Sequence, residues 1–420
     1  MVKTRRGADT VGRRAPGTVT TLVHDARLGV PSFLVRLSNG DMITSTLTAI
    51  LRVRGNKITL VAGDKRNDDE YQDYVNGTGH AVRFAIPGEP AFARDGKLLV
   101  PDHGNGAIRA IDLTTGAVTT FAGRGEPRDD EEDDDEQADA PFLYRPAAVL
   151  DLGDGSFAVS CYDHAIRVVS EEGVISRLVG QEGEKGYANG SGADARFSFP
   201  LSMALEREGT FLVVDSGNHC IRRVDPRTAT VTSAAGMPRT FKFSRGTHRE
   251  VILGDGNEPY AAVRFGDISG ITAAADGTVF VSEDYCGVSA ICPFTHTVID
   301  VAGCNCLEEQ AMQVMRDGTA ETASFVCPSS LCLDEANRRL YVADADSIRV
   351  VTVSNSVDRR VFRRMPLMRV RKKLQSATHT MSDALLPGGV QEPLLRNVLR
   401  FLFVSCPDDP YSLVMRFLVV

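Results

Sequence analysis

The stretch VVDSGNHCIRRV (213–224) sets an aspartate, an asparagine and a histidine between two apolar runs. Residues of these types serve a metal site, a general acid–base pair, or a turn whose polar side chains satisfy nearby backbone groups. Related stretches recur along the chain. VPDHGNGAIRAI (100–111) offers Asp102, His103 and Asn105, VSCYDHAIRVV (159–169) offers Asp163 and His164, and VSEDYCGVSAI (281–291) carries Asp284. VADADSIRVV (342–351) ends in the same Ile-Arg pair. His103, His164 and His219 would need to converge near an axis to ligate zinc. The turn reading is preferred. Asp215 with Asn218, and Asp102 with Asn105, then satisfy local backbone N–H groups between two strands. Arg109, Arg167, Arg222 and Arg349 each follow a buried isoleucine and are expected to reach a neighbouring unit.

Two further groups could do chemistry. The acidic run RDDEEDDDE holds Asp129, Asp130, Glu131, Glu132, Asp133, Asp134, Asp135 and Glu136. It reads as a solvated loop, or as a dock for a basic peptide, protein or cation, and it lacks EF-hand spacing. An intramolecular clasp with basic residues 359–373 is another use for it. Of the 9 cysteines, six fall late, and Cys304, Cys306 and Cys327 are weak candidates for zinc. Their spacing fits no well-known finger, so buried inert thiols are the preferred reading. Nucleophile elbow, phosphate loop and zincin motifs are absent. No cofactor is expected, and a non-catalytic role is preferred over an enzyme.

These residues must be positioned by a repeat. The aligned positions Ile50, Ile108, Ile166, Ile221, Val288 and Ile348 are 58, 58, 55, 67 and 60 residues apart. A turn signal precedes each unit, as in SNGD (38–41), RDGK (94–97) and ADGT (275–278). Five units close on a short strand ending in Ala-Gly or Val-Gly, such as VTTFAG (118–123) and VTSAAG (231–236). Each unit thus holds four short alternating strands, a to d, and six such units read as propeller blades. The sixth lacks its closing strand. PGTVTTLVHD (16–25) resembles GAVTTFAG (116–123), so it is predicted to complete the last blade and remove an open sheet edge.

The pattern ARFSFP…GTFLVVDSGNHCIRRVDP…TVTSAAG (195–236) resembles an NHL repeat. The resemblance extends over residues 17–358. It implies an all-β, six-bladed propeller and constrains function loosely. Propellers of this resemblance group include metal-dependent lyases and lactonase-like hydrolases with an axial site, and RNA-binding modules. Inner strands such as PAAVLD (146–151), SMALE (202–206) and GITAAA (270–275) offer mainly small and apolar groups, which disfavours an axial metal. The charge disfavours RNA. The chain carries −8 overall, with +4 in residues 1–16, +8 in 359–373 and about −1 in 374–420, leaving 17–358 near −19.

Three segments are therefore expected: a basic leader (1–16), the propeller (17–358), and a basic linker with an apolar tail (359–420). The leader has no apolar core for a secretory signal, and no run is long and apolar enough to span a bilayer. A monomeric propeller in the cytoplasm is expected, with the nucleus as an alternative because of the basic segment. Strands alternate in direction, so the b–c turns and d–a connections share one face. That face carries the long segments, and binding usually resides on long loops. It is expected to bind a protein or peptide, through Asp102, His103, Asn105, Asp163, His164, Asp215, Asn218, His219, Asp284 and the acidic run.

Overall fold

A computed structural model describes residues 17–64, 74–123, 143–236, 265–284, 287–291, 298–303, 314–320 and 322–353. The expectations placed on residues 1–16, the acidic run 129–136, Cys304, Cys306 and residues 359–420 lie outside the described residues. Within them, the repeat becomes six antiparallel sheets. Blade one comprises Leu34–Arg36, Met42–Ser45, Ala49–Arg54 and Lys57–Gly63. Blade two comprises Ala91–Phe92, Leu98–Asp102, Ala107–Ile111 and Ala117–Gly123. Blade three comprises Pro146–Asp151, Phe157–Cys161, Ala165–Val169 and Ile175–Gly180. Blade four comprises Pro200–Leu205, Phe211–Asp215, Cys220–Asp225 and Thr230–Ala235. Blade five comprises Ile268–Ala273, Val279–Glu283, Gly287–Ile291 and Val298–Ala302.

Blade six is assembled from both ends of the propeller. Its strands a to c are Pro328–Asp334, Arg339–Asp344 and Ser347–Thr352. Strand d is Thr18–His24, paired antiparallel with strand c from Val19↔Val351 to His24↔Ser347. Its identity as a true strand d is recorded in an irregularity. In every blade the c–d register shifts at the aligned apolar residue: at Ile50, Ile108, Ile166, Ile221 and Val288, and at Ile348 opposite Val23. A bulge bends and twists the outer strand, and the borrowed strand bends where the other five do.

Each strand alternates buried and exposed residues only on its outer members. Strands b and c are buried along nearly their whole length, because both faces of each sheet pack on neighbouring blades. Apolar clusters fill the seams between blades. One joins Leu212, Val214 and Ile221 to Ile268, Ile271 and Val281, and another joins Val23, Tyr341 and Ile348 to Leu34, Met42 and Leu51. Polar contacts near the axis cross every seam in turn: Ile86 N–H to Leu47 O (2.7 Å), Glu89 N–H to Ala147 O (2.9 Å), Ser160 Oγ to Leu201 O (2.7 Å), Ile271 N–H to Ser202 Oγ (3.2 Å), Ser282 Oγ to Ser329 O (3.4 Å) and Leu34 N–H to Ser330 Oγ (3.2 Å). The last contact closes the ring.

The four-strand expectation needs one addition. Blades two, four and six carry a fifth, two-residue strand outside strand d: Gly77–Thr78, Gly190–Ser191 and Gly318–Thr319. Each belongs to the connection that enters the blade it caps. Among the described residues, no helix is long and apolar enough to cross a membrane.

Closure rests on Asp317 as well as on packing. Its carboxylate accepts the Thr21 N–H (2.9 Å) and hydroxyl (2.7 Å), and one Arg349 N–H (3.0 Å). Burial opposes its ionisation, but these donors and the Arg349 charge outweigh it and hold the carboxyl below its usual value. Such a group adds stability above its unfolded pKa and loses it as pH falls through the lower folded value. Acid titration of the melting temperature should therefore show a drop below about pH 4 that Asp317→Asn flattens. Val19 is 1% exposed, and Val19→Ala should cost about 2 kcal/mol in urea unfolding.

Candidate partner-binding face

The Ile-Arg pair of the repeat turns out to be scaffold. Arg109, Arg222 and Arg349 are among the largest fully buried side chains, each 0% exposed. Arg222 donates to the Asp215 carboxylate (3.0 Å), the Arg196 carbonyl (3.0 Å), the Ala188 carbonyl (2.8 Å) and Asn189 Oδ1 (2.8 Å). Arg109 repeats this with Asp102 (2.6 Å), Arg83 O (3.0 Å), Val75 O (2.9 Å) and Asn76 Oδ1 (2.8 Å). Arg349 does so with Asp344 (3.0 Å), Ser324 O (3.1 Å), Arg316 O (2.8 Å) and Asp317 (3.0 Å). Phenyl rings of Phe84, Phe197 and Phe325 lie 5.2, 5.3 and 5.0 Å from the three guanidinium carbons. A fork of fixed N–H donors suits such a site, since it meets a carboxylate and several carbonyls at once.

The expected reach of these arginines into a neighbouring unit is thereby corrected. Their targets are the connection that enters their own blade, because the fifth strand folds back over strand d and brings its carbonyls within reach. Blade three departs from the pattern. Cys161 stands where the others have aspartate, so Arg167 turns to Asp163 in the b–c turn (2.9 and 2.5 Å) and to Glu182 (3.4 Å). Blade five substitutes a neutral donor for the arginine, Ser289 donating to the Glu283 carboxyl group (3.0 Å).

Several residues expected on the binding face are in fact inside it. Asp102, Asn105 and Asp215 are each 0% exposed. Asp215 accepts from Ser198 N–H (2.7 Å), Asn218 (2.8 Å) and Arg222, and Asp102 accepts from Ala85 N–H (2.7 Å), Asn105 (3.0 Å) and Arg109. These donors join strand b to the start of strand a rather than stapling the b–c turn alone. Burial pushes both carboxyls up, and the guanidinium and amide donors oppose it. Asp163 and His164 are also buried. The three histidines do not converge. His103 and His164 sit on opposite sides of an aromatic chain, while His219 Nδ1 is 2.9 Å from the Asp267 carboxylate. Among the described residues, no three His, Cys, Asp or Glu side chains gather. Cys327 immediately precedes strand a of blade six, and burial raises its thiol, as it raises Cys332 and pushes Cys161 up to about 12.

What this face does expose is a set of strained residues at the start of successive inner strands. Ile86, Arg145 and Phe199 each precede a proline and have φ of 57°, 45° and 52°. A proline pushes the residue before it toward extended geometry, and positive φ in a β-branched residue is a true outlier. Ile86 is 38% and Phe199 41% exposed, and Arg145 is exposed. The register Pro87↔Asp102, Pro146↔Cys161 and Pro200↔Asp215 puts all three on the face of the b–c turns. Behind them runs the aromatic chain. His103 meets Tyr162 edge-on (4.6 Å), Tyr162 meets Phe199 (5.6 Å), and Phe199 meets His164 (4.7 Å). Burial and the Arg145 charge push His103 down to about 4, so it is neutral here. On the blade-five side the face is acidic, with Asp267 exposed and Asp284 half-buried and raised by burial and by Asp267.

Sequence reasoning missed Glu89. GEPAFA (88–93) breaks the small and apolar rule of the inner strands, and a charged residue between Gly and Pro was the available signal. Its backbone bridges to blade three, through Ala147 O and Val149 N–H (2.9 and 2.8 Å). Ser202 of blade four favours its ionised form. Burial pushes the carboxyl up to about 7.

No protein-family model matches this chain. NHL repeat-containing protein 2 of Homo sapiens is 28% identical over 283 residues, which is 59% of this chain and 38% of that protein. The Arabidopsis thaliana protein SUPPRESSOR OF QUENCHING 1, chloroplastic, is 30% identical over 165 residues, 37% of this chain and 15% of that protein. The chain thus spans well under half the length of these curated relatives. An auxiliary nutrient binding protein from Bacteroides ovatus superposes with a TM-score of 0.54 at 14% identity, covering 80% of this chain and 76% of its own, a likeness of fold. This chain is a six-bladed propeller with distant NHL repeat-containing homologues.

Two substitutions check the energetics. Arg222→Met strands the buried Asp215 carboxylate and should cost about 3–5 kcal/mol in urea unfolding, with much of that recovered by adding Asp215→Asn. For Glu89, the folded pKa lies above the unfolded one, so the folded state loses stability as pH rises toward and past about 7. Glu89→Gln should therefore melt higher than wild type at pH 8 and equal to it at pH 5, by calorimetry.

Proposed function

We propose that this protein is a non-catalytic scaffold whose b–c and d–a face binds a protein or peptide. The carrying observation is the trio Ile86, Arg145 and Phe199. Three successive blades hold a large side chain at positive φ ahead of a proline, and expose it. Strain of this kind costs on the order of 1–3 kcal/mol per residue and persists where the surroundings enforce it, often at sites of recognition. The fold leaves part of the Ile86 and Phe199 side chains uncovered, and a partner gains that remaining apolar area. The chain Tyr162–Phe199–His164 stiffens the surface, and a rigid aromatic anchor loses little entropy on binding. The buried Arg–Asp units beneath hold the connections in place, which favours a preformed surface.

The test is capture of partners from cell lysate by the full-length protein, quantified by mass spectrometry. Ile86→Ser with Phe199→Ser should reduce the captured partners at least tenfold, with the variant shown to be folded by its cooperative unfolding transition, since Phe199 also packs on Tyr162 and His164. An unchanged set of captured proteins would remove the face from consideration.

A further inference from the structure

Blades two, four and six cover the outer edge of strand d with a segment of their own connection, and the three covers share one chemistry. The carbonyls of Gly116, Ala229 and Gly17 accept the N–H groups of Gly79, Gly192 and Ala320 (3.2, 2.8 and 2.8 Å). Just ahead of these donors, the side chains of Asn76, Asn189 and Asp317 each bridge two groups of the blade. They accept from Arg109, Arg222 and Arg349, and they bond the hydroxyls of Thr120, Ser233 and Thr21. Thr21 also donates its N–H to Asp317 (2.9 Å), so the backbone at this position of strand d faces the edge. In blade one the equivalents differ. The register against strand c sets Leu60 in the place of Thr120 and Leu51 in the place of Arg109. Leu51 is buried and Leu60 half-buried. The backbone N–H of Leu60 therefore faces outward, and with a period of two so does that of Ile58. Lys57–Gly63 is the outermost strand of its sheet, and among the described residues nothing pairs with its outer side. Nor can blade one cover itself. Its entering connection, residues 25–33, is short and tied along a direct path: Asp25 N–H donates to Asp346 O (3.1 Å), Ser329 Oγ to Pro31 O (2.7 Å) and Ser32 N–H to Ser45 Oγ (3.1 Å).

We propose that the outer edge of blade one docks an extended segment of a partner protein, which adds as the fifth strand this blade lacks. The three internal covers define what fits. Blade two pairs Thr78 with Ala117 and Gly77 with Val118, antiparallel. Ala117 and Val118 correspond to Lys57 and Ile58. A partner residue in the place of Asn76 lies over Leu60 and Leu51, where neither a guanidinium nor a hydroxyl is offered, so it is apolar. The residue two before it, where Tyr74 and Tyr187 stand over their arginines, shares that side of an extended strand and is apolar or aromatic. The residue in the place of Thr78 faces the exposed Lys57 and is acidic, since directly opposed unlike charges favour pairing. The partner motif is thus apolar-x-apolar-x-acidic. Backbone bonds along a sheet edge supply affinity, and alternate side chains supply specificity. A second copy of this chain is the poorer occupant, because Lys57–Gly63 carries no acidic residue. This edge lies on the circumference of the ring, and its assignment does not draw on the loop-face reading.

The experiment follows amide hydrogen exchange by NMR in the full-length protein labelled with 15N. In the free protein the Ile58 and Leu60 amides should exchange about tenfold faster than those of Val118 and Val231, whose outer side is covered. Three synthetic peptides are then added: acetyl-YVLGEG-amide as the probe, and acetyl-YVLGKG-amide and acetyl-YVNGEG-amide as its variants. The probe should slow exchange at Ile58 and Leu60 and leave Val118 as it was, and each variant should bind about threefold more weakly. Lys57→Glu, a change on an exposed side chain, should reverse the preference between the Glu and Lys peptides. Equally slow exchange at all four amides of the free protein means that the chain covers its own edge, and overturns the proposal. No response to the probe, or the same response to all three peptides, overturns it too. A dimer in analytical ultracentrifugation, with Ile58 and Leu60 exchange slowing as protein concentration rises, assigns the edge to a second copy and likewise overturns it.

Discussion

A charged guanidinium sealed inside a sheet dictates the rest of this structure. Arg109, Arg222 and Arg349 sit in the third strand of alternate blades with no access to water. Each would be prohibitively costly alone, so aspartate and backbone carbonyls must be brought to it. The carbonyls come from the connection entering the same blade, and they arrive only when that connection folds back as a fifth strand. One buried cation thus fixes the end of strand b, the start of strand a, and the course of a loop more than twenty residues away in sequence. The ring acquires an approximate three-fold pattern within its six-fold one. Blades two, four and six carry the full unit, while Thr46 and Leu51 occupy the corresponding places in blade one.

Much of this was legible because the repeat is carried by backbone-level requirements. The aligned Ile and Val residues mark a bulge common to all six blades, and the resemblance of residues 16–25 to a closing strand marks the seam. These are local patterns with one structural solution. The role of Asp215 was half legible. Its type and place announced a turn, but its main partners are Ser198 and Arg222, set by tertiary folding. The same limit hid the switch in blade three, where Arg167 keeps its place and changes its aspartate. Positive φ at Ile86, Arg145 and Phe199 had no signal, since each precedes a proline and would by itself be read as extended.

Glu89 shows a different limit. A glutamate between glycine and proline stands out only against the small and apolar inner strands of the other blades. Only the folded ring buries its carboxyl, and burial is what raises its proton affinity. The histidines make the converse case. His103, His164 and His219 look like chemistry in sequence, and the fold disperses them, giving His103 to Tyr162, His164 to Phe199 and His219 to Asp267.

The borrowed strand has a consequence for biosynthesis. Thr18–His24 leaves the ribosome before any blade exists, yet its partners Asp317 and Ser347–Thr352 emerge some three hundred residues later. At elongation speeds of roughly 5–20 residues per second, the nascent chain holds that segment unmatched for tens of seconds. Its apolar positions Val19 and Val23 need shelter throughout that interval, and Thr18–His24 is therefore where a chaperone would have the longest time to act.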